Sequence, residues 1–108
     1  MIPRRARHSV WVVDVFVVER YLPDTTAAQV CEAEALLSAA AHDLAATGTE
    51  IHFLGSTFVP VEEYCFCRFE SDSLDNVRRA CERAGVSYAR IVQARDLQSA
   101  RRTAATHR

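Results

Sequence analysis

The hydrophobic positions of the chain change period several times, and each change marks an element. From Val10 to Tyr21 the run VWVVDVFVVERY is almost continuously apolar and rich in Val, Phe and Trp. Such a run suits a central β-strand covered on both faces. Pro23-Asp24-Thr25-Thr26 then supplies turn and N-cap chemistry, and from Ala27 to Thr47 Val30, Ala33, Leu37, Ala41 and Leu44 recur at helical spacing. Gly48 closes that helix. A second strand follows from Glu50 to Val59, a turn over Pro60 to Glu63, and a third strand from Tyr64 to Glu70. Ser71-Asp72-Ser73 caps a second helix with an apolar stripe of Leu74, Val77, Cys81 and Ala84, ended by Gly85. Asp72 and Asp75 stand at its start and Arg78, Arg79 and Arg83 later, as the helix dipole favours. Ser87 to Ala94 reads as the last strand.

The order is β-α-β-β-α-β, which predicts a ferredoxin-like α+β sandwich: a four-stranded antiparallel sheet with two helices on one face. The other face is left bare, and such a face is normally closed by a partner subunit or a ligand. Because the first strand is apolar on both sides, a homodimer burying the open face is expected.

A length of 108 residues fits one domain. The charge pattern divides it into a basic N-terminal arm (1–9), the domain proper (10–96) and a basic C-terminal tail (97–108). The arm carries Arg4, Arg5 and Arg7, the tail Arg101, Arg102 and Arg108, and the acidic body holds all fourteen carboxylates. Neither tail interleaves aromatics with its arginines, so no nucleic-acid partner is expected. The apolar run near the start is broken by Asp14 and followed by Glu19-Arg20-Tyr21 rather than a cleavage site. It is also far short of the roughly 20 residues that span a bilayer. No membrane partner is expected, and the four cysteines read as reduced thiols of a cytoplasmic protein.

Candidate chemistry is concentrated on the middle two strands. With a four-residue loop at Pro60–Glu63, Ser56 falls opposite Cys67 and Phe58 opposite Cys65. The helix-facing set is then Leu54, Ser56, Phe58, Cys65, Cys67 and Phe69. Phe53, Gly55, Thr57, Tyr64, Phe66, Arg68 and Glu70 face the other way. Gly55 inside a strand signals a bulge, which would shift this register. Cys65 and Cys67 are spaced about 6.5–7 Å along the strand, which opposes a disulfide. A metal shared between them would need sulfurs about 4 Å apart. Core filling is the reading that spacing favours, for these two and for Cys31 and Cys81 on the helices. Glu50 and His52, two apart on an expected edge strand, with the register placing His52 on the helix-facing side, offer the imidazole and carboxylate that suit nickel, zinc or copper. His42 falls off its helix's apolar stripe, and His8 and His107 lie in the tails. On the bare face Phe53, Tyr64, Phe66, Arg68 and Glu70 are the candidates for a small-molecule pocket, joined by Asp14, Arg20 and Arg90 from neighbouring strands. The same charges could equally form an interface network of ion pairs. Phosphate loops, HExxH, CxxC and nucleophile elbows are absent from the sequence.

FVVERYLP at 16–23, LGSTFVP at 54–60, CFCRFESDS at 65–73 and RAGVSYARI at 83–91 resemble a small bacterial domain-of-unknown-function family typified by a nickel-responsive, nickel-binding protein. Glu19, Ser56, Cys67 and Gly85 match family positions. The resemblance covers about residues 15–94 and implies a ferredoxin-like dimer with nickel bound at the dimer surface. The expected cofactor is thus nickel or another divalent metal, with Glu50, His52 and Cys67 as candidate ligands. The competing expectation is a dimeric enzyme or small-molecule-binding protein working across the open sheet face.

Overall fold

Strand β1 (Val12–Tyr21) runs through the middle of a four-stranded antiparallel sheet in the computed structural model, which describes residues 12–97. Helix α1 (Ala27–Ala46), β2 (Ile51–Val59), a 3-10 turn (Pro60–Glu62), β3 (Tyr64–Ser71), α2 (Leu74–Ala84) and β4 (Arg90–Leu97) follow. The sheet order is β2-β3-β1-β4, so β2 is an edge strand and the valine-rich β1 is central, as the hydropathy pattern requires. This is the expected βαββαβ ferredoxin-like arrangement, with both helices packed on one face. The basic arm, the tail beyond Leu97, His8 and His107 lie outside the described residues.

Local chemistry sets the helix ends. Thr26 accepts from the Gln29 amide at 3.2 Å while the Gln29 side chain accepts from the Thr26 amide at 2.9 Å. This reciprocal capping box satisfies two orphan N–H groups. Ser73 caps α2 in the simpler way, accepting from the Asn76 amide at 3.2 Å. Gly85, at φ +69°, supplies the left-handed turn that ends α2. The buried stripe of α2 is Val77, Ala80 and Cys81, and Leu74 is 44% exposed. The expected stripe was thus one turn too long at its start: Leu74 is the first helical residue, a turn short of the i, i+3, i+4 set that meets the sheet.

The core between helices and sheet contains Phe16, Val18, Leu37, Ile51, Cys65, Cys67, Phe69, Val77 and Cys81. Phe69 of β3 has Phe16 of β1 and Phe53 of β2 as its cross-strand partners. β4 begins three residues later than the sequence suggested, at Arg90. The carbonyl of Ser87 is taken by the Arg20 Nε at 2.7 Å, and the ladder opens only at the Ala89 amide, which donates to Glu19 at 2.7 Å.

A bulge in β2 decides where the candidate site lies. The pairing with β3 slips between Phe53 and Gly55, leaving Leu54 as the extra residue. Gly55 adopts φ +120°, a conformation that side-chain-bearing residues rarely take. Beyond the bulge Ser56 opposes Cys67 and Phe58 opposes Cys65, as expected. Before it the faces are exchanged. Ile51 and Phe53 turn toward the helices, His52 opposes Glu70 on the other face, and Leu54 is exposed. The expected placements of Phe53 on the open face, and of Leu54 and His52 on the helix side, are therefore corrected. One inserted residue in a period-two element reverses everything on one side of it.

Candidate functional site

Glu50 and His52 come together at the edge of the sheet. Ser71 Oγ donates to the Glu50 carbonyl at 2.5 Å and Asn76 Nδ2 donates to it at 3.3 Å, which ties the start of β2 to the β3–α2 junction. From this anchored position the Glu50 Oε2 lies 3.4 Å from His52 Nε2, and the two side chains are 51% and 55% exposed. Across the ladder His52 faces Glu70. His52 also lines a shallow cleft of about 210 Å³ between α1 and β2, together with Ser38, Ala41, His42, Ala45, Ile51 and Phe53. His42, expected to be simply solvated, is exposed but shares this cleft with His52. Sequence reading missed the pairing because it depends on where α1 crosses the edge of β2. The ten-residue separation carries no ligand-spacing signal.

Cys67 is not part of that cluster. It opposes Ser56, faces the helices and is 1% exposed, whereas His52 opposes Glu70 on the far face. Among the described residues no three His, Cys, Asp or Glu side chains converge closely enough to hold one ion. Imidazole and carboxylate at Glu50–His52 therefore fit a surface-bound, largely hydrated divalent ion. A closed cage of protein ligands is a different geometry.

The buried cysteines form a separate group. Cys65 and Cys67 Sγ lie 3.9 Å apart, and Cys81 of α2 belongs to the same core cluster. Burial, and then the neighbouring Cys67, push the Cys65 thiol from the ordinary 9.0 to about 12. Burial, again followed by Cys67, raises Cys81 to about 12. Both thiols hold their protons more tightly folded than unfolded. Their contribution to stability is present below pH 9.0 and is lost as the pH climbs toward about 12. Cys31 is exposed. A thiol count with an aromatic disulfide reagent at about pH 8 should therefore find Cys31 reacting at once and the other cysteines only in denaturant. Fast reaction of Cys65 or Cys81 in the native protein would contradict this placement.

On the open face, Tyr64 stacks obliquely on Tyr21 (centroids 5.9 Å) and on Phe66 (5.6 Å). Arg68 lies 3.8 Å from Asp96, and Arg90 Nε donates to Glu19 at 3.0 Å. Of the five residues expected to line a small-molecule pocket there, Tyr64, Phe66, Arg68 and Glu70 share the face. Phe53 does not: its ring packs against Phe69, centroids 5.1 Å apart, on the helix side. Arg20 is corrected likewise. It is the register partner of Cys65, is 9% exposed, and faces the helices. The Asp14 side chain lies outside the described ones.

These features define a ferredoxin-like domain with an open aromatic sheet face and an imidazole–carboxylate pair at its edge. The chain belongs to the nickel-responsive SCO4226-like protein family, whose model matches residues 16–94. Among solved structures, the crystal structure of SCO4226 from Streptomyces coelicolor A3(2) is similar to it, with a TM-score of 0.62 at 24% identity. The match covers 72% of this chain and 91% of that one, and at this identity it establishes the shared fold. No curated protein matches the chain. No helix among the described residues is long and apolar enough to cross a membrane.

Proposed function

We propose that the protein is a small divalent-metal-binding protein that takes up nickel at the sheet edge and acts as a homodimer closed over the open sheet face. The observation that carries this reading is the Glu50–His52 pair, an imidazole nitrogen 3.4 Å from a carboxylate oxygen with both groups half exposed. Membership of a nickel-responsive family supports the choice of metal. Glu50 and His52 supply one oxygen and one nitrogen donor, water fills other positions, and His42 in the same cleft is the nearest candidate for a second imidazole. Bound this way the ion exchanges readily with solvent, which suits buffering or sensing of nickel better than permanent structural use. Reduced thiols, one of them exposed, suit a cytoplasmic setting.

The test is a calorimetric titration of nickel into chelator-stripped, reduced protein, with zinc as the competitor. Near-stoichiometric binding with a Kd on the order of micromolar, stronger for nickel than for zinc, is the expected result. His52→Ala and Glu50→Gln should each weaken it by at least about tenfold, while exposed Glu82→Gln should leave it unchanged. Absent binding, or binding indifferent to His52→Ala, overturns the assignment. His42→Ala reports separately whether the cleft's second imidazole coordinates.

A further inference from the structure

One buried hydroxyl is used to its full capacity at the corner that carries the Glu50–His52 pair. Ser71, the last residue of β3, is 5% exposed. Its Oγ donates to the Glu50 carbonyl at 2.5 Å and accepts from the Ser73 amide at 3.4 Å and from Asn76 Nδ2 at 3.2 Å. A hydroxyl has one proton to give and two lone pairs to fill, so every place is taken. Asn76 adds a tie of its own, since Nδ2 also reaches the Glu50 carbonyl at 3.3 Å and Asp72 Oδ1 at 2.9 Å. The Glu50 carbonyl thus receives two side-chain donors, one from β3 and one from α2.

Helix capping accounts for only part of this arrangement. Ser73 already caps α2 by accepting from the Asn76 backbone amide at 3.2 Å, which leaves the Asn76 side chain free for another task. The β-ladder does not hold Glu50 either: pairing of β2 with β3 begins at Ile51, opposite Ser71, so Glu50 stands one residue outside it. On its other side Thr49 is tied back to α1, its amide donating to the Leu44 carbonyl at 3.1 Å. Between a helix end and a strand start, the Glu50 main chain is fastened by the Ser71 and Asn76 side chains. Glu50 is also the residue whose carboxylate meets His52 Nε2 at 3.4 Å.

Resting on the nickel reading above, we propose that Ser71 and Asn76 are positioning residues for the Glu50–His52 site, and that they couple its occupancy to the first turn of α2. Two half-exposed donors on an edge strand lose backbone and side-chain freedom when they close on an ion. Fixing the Glu50 main chain beforehand removes part of that loss, which is how preorganisation adds to affinity. Removing hydrogen-bonded supports of metal ligands typically costs about 10–100-fold in affinity. Neither Ser71 nor Asn76 touches the ion; both act through the Glu50 backbone. The coupling runs in both directions by linkage: if the start of α2 orders the site, an ion in the site orders the start of α2.

Ser71→Thr and Ser71→Val have side chains of the same size and differ in the hydroxyl, so the full chain carrying each is compared by nickel calorimetry and, without metal, by NMR amide hydrogen exchange. Ser71→Val should weaken nickel binding by about tenfold and speed exchange over residues 50–53, while Ser71→Thr matches the wild type in both. Asn76→Ala should follow Ser71→Val, and it keeps the test open where an added methyl at the buried position prevents folding. Saturating nickel should slow exchange over residues 73–76 in the wild type but not in Ser71→Val. Thr26→Ala removes the cap at the far end of α1 from Glu50; it should lower stability yet keep the nickel affinity, which separates lost positioning from general destabilisation. Wild-type affinity and exchange in both Ser71→Val and Asn76→Ala overturn the proposal. So does a Ser71→Thr variant as impaired as Ser71→Val, because the site would then depend on packing and not on the hydroxyl. Unchanged exchange over residues 73–76 on nickel binding overturns the coupling. A wild type that takes no nickel overturns the metal reading, and the metal-free exchange over residues 50–53 then decides the positioning role by itself.

Discussion

Phe69→Ala is expected to lower the free energy of unfolding by about 3–5 kcal/mol, a large effect for a single truncation. Phe69 is fully buried on an interior strand, and both of its cross-strand partners are phenylalanines, Phe16 and Phe53. The Phe53 ring lies 5.1 Å away, centroid to centroid, and tilted. Removal of the ring therefore leaves a cavity and also ends an aromatic contact worth about 0.5–1.5 kcal/mol beyond its buried area. Rigid neighbours on three sides, two strands and the Cys67–Cys81 layer, limit how far the core can collapse into the space. A domain of this size is typically stable by about 5–15 kcal/mol, so the variant should retain a folded state with a much lower urea midpoint. Urea denaturation followed by circular dichroism measures this directly. Leu54→Ala, at the exposed bulge, serves as the control, with a change within about 0.5 kcal/mol. A loss below about 1 kcal/mol at Phe69 would mean that the three-phenylalanine row is not the centre of the core.

The same row shows what the sequence made legible and what it did not. Element order, and the burial of Leu37, Cys67 and Phe69, follow from periodicity: every second residue of β3 and the i, i+3, i+4 positions of the helices point one way. The pairing of Cys65 with Phe58 and Cys67 with Ser56 followed from the length of the Pro60–Glu63 turn. Register beyond Gly55 was another matter. Gly55 signals a bulge, but no local rule says whether the extra residue stands before or after it, and that choice decides whether His52 or Phe53 faces the helices. The answer comes from packing, because Phe53 against Phe69 buries far more apolar surface than His52 could there without leaving an imidazole unpaired. The candidate site was thus half visible. Glu50 and His52 were close in sequence, whereas the sharing of a cleft with His42, the exclusion of Cys67 and the inward turn of Arg20 all depend on tertiary placement.

With Phe53 turned inward, the open side of the sheet keeps Tyr21, Tyr64 and Phe66 of β1 and β3 as an aromatic stripe, flanked by the Arg68–Asp96 and Arg90–Glu19 pairs. An apolar stripe with a charged rim has the composition of a subunit interface, and the proposed homodimer uses it. Phe66→Glu should therefore weaken self-association by roughly a hundredfold or more, since an uncompensated buried charge costs about 3–5 kcal/mol and a two-fold interface contains the change twice. The nearby guanidiniums offer little rescue, because Arg68 and Arg90 are already engaged by Asp96 and Glu19. Sedimentation equilibrium at micromolar concentration gives the dissociation constant, and circular dichroism shows whether the monomer keeps its fold. Both are needed, because Phe66 faces away from the core and its replacement should leave the domain folded. A wild-type protein that sediments as a monomer removes the dimer from the proposed function. A dimer unaffected by Phe66→Glu moves the interface elsewhere, and the aromatic face then becomes available to a small molecule. Nickel titration of the Phe66→Glu monomer carries the reasoning one step further. Retained affinity means that one chain's Glu50 and His52 suffice, and lost affinity means that the ion's remaining ligands come from the second subunit.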